Sequence, residues 1–272
     1  EIMNILKLIE TFTDDNLMKS TGSRRDSFTQ FGNIGKNLAL ASIPFGLSAL
    51  TGKAFAKDIT ATPATPIGAL QFALTLEYLE NEFYAMALDS GVIPASENGG
   101  RDLKVFQQIS AHESDHVSFL IAGLGGTMSA NFVPKPTFDF TVGGAFNPFG
   151  DYPTFLALAQ AFEDTGVRAY KGQAANLITT PDLLTAALQI HSVEARHASE
   201  VRRLRGLKGW ISNAERGAGM PAATQAVYDG EGVTMQAGFN TAAAFGAAAG
   251  SEAYDEPLTT QQVVDIANIF IV

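Results

Sequence analysis

The chain has 272 residues, 46% of them hydrophobic and 17% charged, with a net charge of −10 and no cysteine. That apolar content suffices for a packed core, and the acidic balance argues against a nucleic-acid backbone as partner, which would require clustered Lys and Arg. The lack of cysteine excludes disulfides, thiol catalysis, iron–sulfur clusters, Cys-ligated zinc and a rubredoxin-type iron centre.

Residues 1–56 differ in character from the rest. Arg24-Arg25 precedes a mildly apolar stretch from Ile34 to Leu50 and then Ala54-Phe55-Ala56. Paired arginines, a weak apolar region and an A-x-A end are the parts of a twin-arginine export signal, which would place the protein in the periplasm or outside the cell. The spacing to Phe28 is one residue longer than in the usual pattern. The alternative is a retained amphipathic arm on a cytoplasmic protein. The apolar run is short and contains Pro44, so it is not read as a membrane span.

Residues 57–66 are rich in Thr, Ala and Pro and read as a linker. Thr65-Pro66 then supplies an N-cap and a first-turn proline for a helix over Ile67–Leu88, stopped by Gly91 and Pro94. A second helix is expected from Arg101 to Leu124, ending at Gly125-Gly126. Residues 125–151 lack a helical period and are long for a connection, so they suit a crossover along a helix bundle, with Phe138-Asp139-Phe140 as a short extended piece. The third helix spans Tyr152–Ile178. Thr180-Pro181 repeats the Thr-Pro start for the fourth, which Gly206 closes, and Arg202, Arg203, Arg205 and Lys208 read as a solvated, dipole-matched helix end. Residues 209–257 are Gly/Ala-rich and expected to be irregular, and Thr259–Phe270 reads as a last docked helix. The domain plan is therefore 1–56 arm or signal, 57–66 linker, 67–206 four-helix bundle, and 207–272 extension with a C-terminal helix.

Two Glu-x-x-His pairs carry the chemistry: Glu113/His116 on the second helix and Glu194/His197 on the fourth. Residues three apart on a helix share a face, so each pair aims a carboxylate and an imidazole at one point. The preceding helices each carry a Glu followed seven residues later by a Tyr: Glu77 with Tyr84, Glu163 with Tyr170. Seven residues are two turns, so each Tyr lies on the face of its Glu. The bundle thus reads as one helix pair used twice. Glu77, Glu113, His116, Glu163, Glu194 and His197 form the ligand set of a carboxylate-bridged two-metal site, with Glu113 and Glu194 bridging and Glu77 and Glu163 each capping one ion. Four carboxylates balance two dications, and iron and manganese accept the same oxygen and imidazole donors. Tyr84 and Tyr170 are placed to donate to a ligand carboxylate or to an open coordination position. Glu80 and Glu82 share the first helix, but only Glu77 has the Glu–Tyr spacing of its counterpart.

His112 to His116 also spell the zinc-protease motif His-Glu-x-x-His. That reading leaves the second Glu-x-x-His pair and the repeated Glu–Tyr spacing without a purpose. His112 and His191 are therefore assigned to the surroundings of the site or to the surface.

Leu76-Glu77-Tyr78-Leu79-Glu80, Phe83-Tyr84, Glu113 to His116, Glu163, Glu194 to His197 and Glu252 to Leu258 together resemble the ferritin-like superfamily, within it the ferritin-like domain proteins of the desiccation-related type. The resemblance covers residues 66–272. It implies an all-α antiparallel bundle with a long crossover and a di-iron or di-manganese centre. It further implies an oxidoreductase acting on dioxygen, peroxide or ferrous iron in stress protection, or else a non-enzymatic protective module stapled by its metals. The Gly/Ala-rich region after Gly206 is unlike the short fifth helix of cage ferritins and argues against a storage cage. Assembly into a homo-oligomer or larger complex would use the N-terminal arm and the extension.

Overall fold

A computed structural model describes residues 58–96 and 100–272. The twin-arginine or arm reading of 1–56 lies outside the described residues. Four long helices follow: α1 (Pro66–Ser90), α2 (Arg101–Gly123), α3 (Tyr152–Leu177) and α4 (Pro181–Leu204). α1 packs on α2, α3 on α4, and α1 also meets α3. The fold is the expected all-α four-helix bundle, with the long crossover between α2 and α3.

Local chemistry explains where the helices begin and end. Thr65 Oγ1 accepts a hydrogen bond from the Gly68 amide at 3.0 Å, and Asp151 accepts from the Thr154 amide at 2.9 Å, each satisfying a first-turn donor. Gly91 closes α1 in the left-handed conformation, with φ of 72°, which costs a residue without Cβ little. The second Thr-Pro start works differently. Thr180 does not cap α4; its hydroxyl donates back to the Leu177 carbonyl at 3.0 Å. The turn between α3 and α4 is so tight that the hydroxyl finds the end of α3 before the start of α4.

The crossover has no helix, and Phe138 forms an isolated antiparallel bridge with Ile271 at the far end of the chain. The Asp139 amide donates to the Phe270 carbonyl at 2.8 Å, and that of Val272 to Thr137 at 3.1 Å. The expected short extended piece is thus paired with the C-terminal segment. Phe83, Phe140, Phe155 and Phe162 stack around it, with ring centroids 4.9–5.2 Å from Phe83, and Phe270 joins through Phe162.

Residues 58–65 are not a free tether. Asn268 holds the Ile59 backbone at both its amide and its carbonyl, at 2.9 and 3.0 Å. The extension also departs from the irregular segment expected. It contains a 3-10 helix (Ala222–Val227), a two-stranded hairpin of β1 (Met235–Gln236) and β2 (Phe239–Asn240), and short helices α5 (Thr241–Phe245) and α6 (Ala247–Glu252). A final helix, α7 (Thr260–Ala267), starts with a Thr259/Gln262 capping box. The pieces before α7 are too short to show a helical period, which is why the sequence pattern missed them, whereas α7 is the expected last docked helix.

The extension is fastened to α3, which is buried without a break from Phe155 to Tyr170. Arg168 is the main fastener. Its Nε lies 2.6 Å from Glu231, and its guanidinium donates to the carbonyls of Glu256, Val227 and Asp229. At Gly172 a Cβ would stand 2.0 Å from the Leu258 carbonyl oxygen, so only glycine lets the extension cross the helix there. The basic run ending α4 is correspondingly not a solvated end throughout. Arg202 is buried against Asp164, with Nε at 3.0 Å and Nη2 at 2.5 Å, and Arg205 bonds Gln160 and the Ala218 carbonyl. The folded extension covers a helix end that a bundle alone would leave wet.

Candidate metal centre

All six residues selected by spacing meet at the middle of the bundle and are buried. They fall into two overlapping groups, Glu77/Glu113/His116/Glu194 and Glu113/Glu163/Glu194/His197, in each of which the candidate donor atoms lie within 4.8 Å of one another. His116 Nδ1 is 3.1 Å from Glu77 Oε2, 3.1 Å from Glu113 Oε2 and 3.2 Å from Glu194 Oε1. His197 Nδ1 is 3.0 Å from Glu113 Oε1, 3.3 Å from Glu163 Oε2 and 3.8 Å from Glu194 Oε2. Glu113 and Glu194 therefore each turn one oxygen toward each imidazole, the disposition of bridging carboxylates. Glu77 and Glu163 each serve one side.

These spacings suit cations. Two donors each about 2.1 Å from an octahedral ion and at right angles to each other sit about 3 Å apart. Several of the same atoms, Glu113 Oε1, Glu163 Oε2, both oxygens of Glu194 and His197 Nδ1, are buried without a hydrogen-bond partner among the described residues. Buried polar atoms in that state are costly, and a shared ion satisfies them together. Electrostatics points the same way. Burial, the carboxylate of Glu194 and that of Glu77 raise the Glu113 carboxyl well above its usual range, although both imidazoles pull it down. Burial and neighbouring Glu194 lift Glu163 to about 7, against the pull of His197 and Tyr84. Against the cost of burial, both imidazoles hold Glu194 down at about 2. Burial opposes charge on His116 and His197, yet the surrounding carboxylates keep both imidazoles protonated far above the ordinary histidine range. The cage thus draws positive charge to its centre.

The tyrosines reach across rather than back. Tyr84 on α1 donates to Glu163 Oε1 on α3, and Tyr170 on α3 donates to Glu77 Oε1 on α1. Helical side chains lean toward their own N-terminus, so a Tyr two turns after a Glu leans back into that layer. There it meets the outer oxygen of the facing Glu, whose other oxygen is turned inward. Burial first, then the adjacent carboxylates, push both hydroxyls well above the usual tyrosine range, which keeps them donors.

His112 stands behind His197, its Nδ1 2.9 Å from His197 Nε2 and its Nε2 2.7 Å from Gln108. The two rings stack with centroids 5.1 Å apart. His112 thus orients a cluster imidazole instead of sharing an ion with His116, contrary to the zinc-protease pattern. His191, half-buried on α4, stays outside the converging group. Glu82 pairs with Lys135 on the crossover. Glu80, passed over in favour of Glu77, is buried too, at 4% exposure. Burial and then the charges of Glu194, Glu163, Glu113 and Glu77 raise its carboxyl well above the usual range. Its spacing, three residues after Glu77, was the available signal.

On the side of α1's N-terminus, the next layer is apolar. Ala73, Leu120, Ile190 and Tyr170, from all four helices, line a cavity of about 20 Å³, room for one water-sized molecule.

Fold and site together define a helix-bundle protein with a buried carboxylate–histidine cluster able to bind metal. A family model for the ferritin-like domain matches residues 65–207, and the chain belongs to that family. None of the curated proteins compared with it matches the chain.

Proposed function

We propose that the cluster holds two divalent ions, iron or manganese, and that the protein is an oxidoreductase of the desiccation-related type, using dioxygen, peroxide or ferrous iron in stress protection. The observation that carries this reading is the presentation of one oxygen from each of Glu113 and Glu194 to each imidazole. When bound, such an ion pair supplies reversible electron transfer to a small oxidant, and peroxide disproportionation on it requires no outside reductant. The chain's own part is to fix the donors and exclude bulk water. Tyr84 and Tyr170 hold Glu163 and Glu77 in place through their outer oxygens while remaining protonated. His112 fixes the ring of His197 from behind. The apolar cavity beside Tyr170 favours an uncharged, water-sized reactant.

A second reading is a protective structural module in which the metals staple the four helices. It is favoured by enclosure: Glu113, Glu163 and Glu194 are each 0% exposed. Metal analysis of protein from its native source, followed by ferrous-oxidation and oxygen-evolution assays, separates the two. Turnover in either assay supports the enzyme; metal-loaded protein with neither activity, but a melting point that collapses on chelation, leaves the staple. Export is proposed from Arg24-Arg25 and the following segment, to be checked by cell fractionation. Assembly through the arm and extension is proposed as well, supported by the exposed Met235, Phe239 and Phe245, and checked by light scattering.

A further inference from the structure

The two halves of the bundle match at the six cluster residues and both tyrosines, but not at the position three residues after each first Glu. Glu77 matches Glu163, Tyr84 matches Tyr170, and each Glu-x-x-His matches the other. Three residues after Glu77 stands Glu80; three residues after Glu163 stands Gly166. A Cβ built on Gly166 would lie 3.4 Å from Glu80 Oε1 and 3.5 Å from Glu194 Oε2, so these two oxygens flank the gap the glycine leaves. Glu194 Oε2 is also the oxygen turned toward His197 Nδ1, at 3.8 Å. No hydrogen bond or ion pair reaches Glu80 from another described residue, although its side chain is almost wholly buried. A second small cavity, about 20 Å³ between α1, α3 and α7, has Glu80, Thr165 and Gly166 in its wall. The carboxylate therefore has space to move.

We propose that Glu80 is a fifth carboxylate of the centre, a ligand that swings through the space left by Gly166 onto the ion held by Glu163 and His197. The assignment rests on the two-metal reading of the cluster. It explains why a buried carboxyl group with no described hydrogen-bond partner is held against the cluster. It also explains this break in the repeat, because a side chain in place of Gly166 would fill the path. Four carboxylates and two neutral imidazoles balance two dications; a fifth carboxylate makes the cage more negative and strengthens its hold on cations.

The test is metal titration of the full chain with ferrous and manganous ions, followed by equilibrium dialysis, on the wild type and the E80Q, E80D and E113Q variants. Circular dichroism and the melting temperature of each metal-free form monitor folding. Wild type should bind two ions and E113Q should lose both. E80Q should keep the fold, melt no lower than wild type when metal-free, and bind one of its ions about 10- to 100-fold more weakly. E80D keeps the charge but is too short to ligate, and should weaken the same ion. Wild-type affinity at both ions in E80Q overturns the assignment while leaving the metal centre intact. Weakening in E80Q with wild-type affinity in E80D shows a through-space charge effect and also overturns ligation. A wild type that takes up neither ion removes the metal centre itself, and the Glu80 assignment with it.

Discussion

Within the cluster, Glu113 and Glu194 are the two carboxylates that each offer an oxygen to both imidazoles. On the proposed two-ion reading, Glu113→Gln should abolish binding of both ions, whereas Glu77→Gln should weaken chiefly the ion beside His116; elemental analysis after dialysis distinguishes the two outcomes. The pH response of the metal-free protein follows from Glu163. In the fold it keeps its proton up to about 7, while its usual value is 4.5. Between these values the folded state binds more protons than the unfolded one, so stability must fall as pH rises from 4.5 to 7, by on the order of 3 kcal/mol for this group. The raised imidazoles add to the same trend at higher pH: their contribution is complete below the ordinary histidine range and declines steadily as pH rises above it. Urea unfolding of chelated protein at pH 5, 6 and 7 checks the sign. Metal affinity should run the opposite way and increase over the same window, because the ions require deprotonated ligands. The six cluster residues were legible from spacing alone, since a three-residue step on a helix already dictates a shared face. Glu80 has the same three-residue step from Glu77, but that it faces Gly166 on another helix was not legible.

At the scale of the element, two helix starts that look alike in sequence are unequal in structure. Thr65 accepts from the Gly68 amide, and Thr180 donates to the Leu177 carbonyl. Thr65→Ala should cost about 1 kcal/mol, the usual worth of an N-cap, and Thr180→Ala a few tenths to 1 kcal/mol, the scale of one partly exposed hydrogen bond. Thermal melting of the two variants side by side checks the order. Thr-Pro fixes where a helix starts because proline cannot donate within the first turn, but the rotamer of the threonine is set by what lies nearest in space. The pairing of Phe138 with Ile271 illustrates the same limit. Alternation marked the residues as extended; only the return of the C-terminus along the crossover supplied a partner strand.

Across the whole molecule, the extension and the bundle form one packed unit joined at α3. Arg168 and Glu231 are both almost fully buried, and burial outweighs their attraction enough to lower the arginine and raise the glutamate, to about 7. Such a pair contributes little net stability, but breaking it is expensive. Arg168→Ala should cost about 3–5 kcal/mol by leaving Glu231 buried and unpaired, whereas Arg168→Met with Glu231→Leu should recover only the part due to the ion pair, because the Val227, Asp229 and Glu256 carbonyls still lose their donor. Chemical denaturation of the single and double variants measures both. Periodicity, caps and the doubled Glu-x-x-His spacing determined the four helices, their order and the faces that carry the clustered Glu and His, because each is a property of residues within two turns of one another. Tertiary structure alone decided that each tyrosine serves the opposite glutamate, that Arg202 leaves solvent for Asp164, and that Glu80 faces a glycine across the bundle. Those outcomes depend on which helices become neighbours and how closely, and a one-dimensional pattern holds no record of distances between segments brought together only by folding.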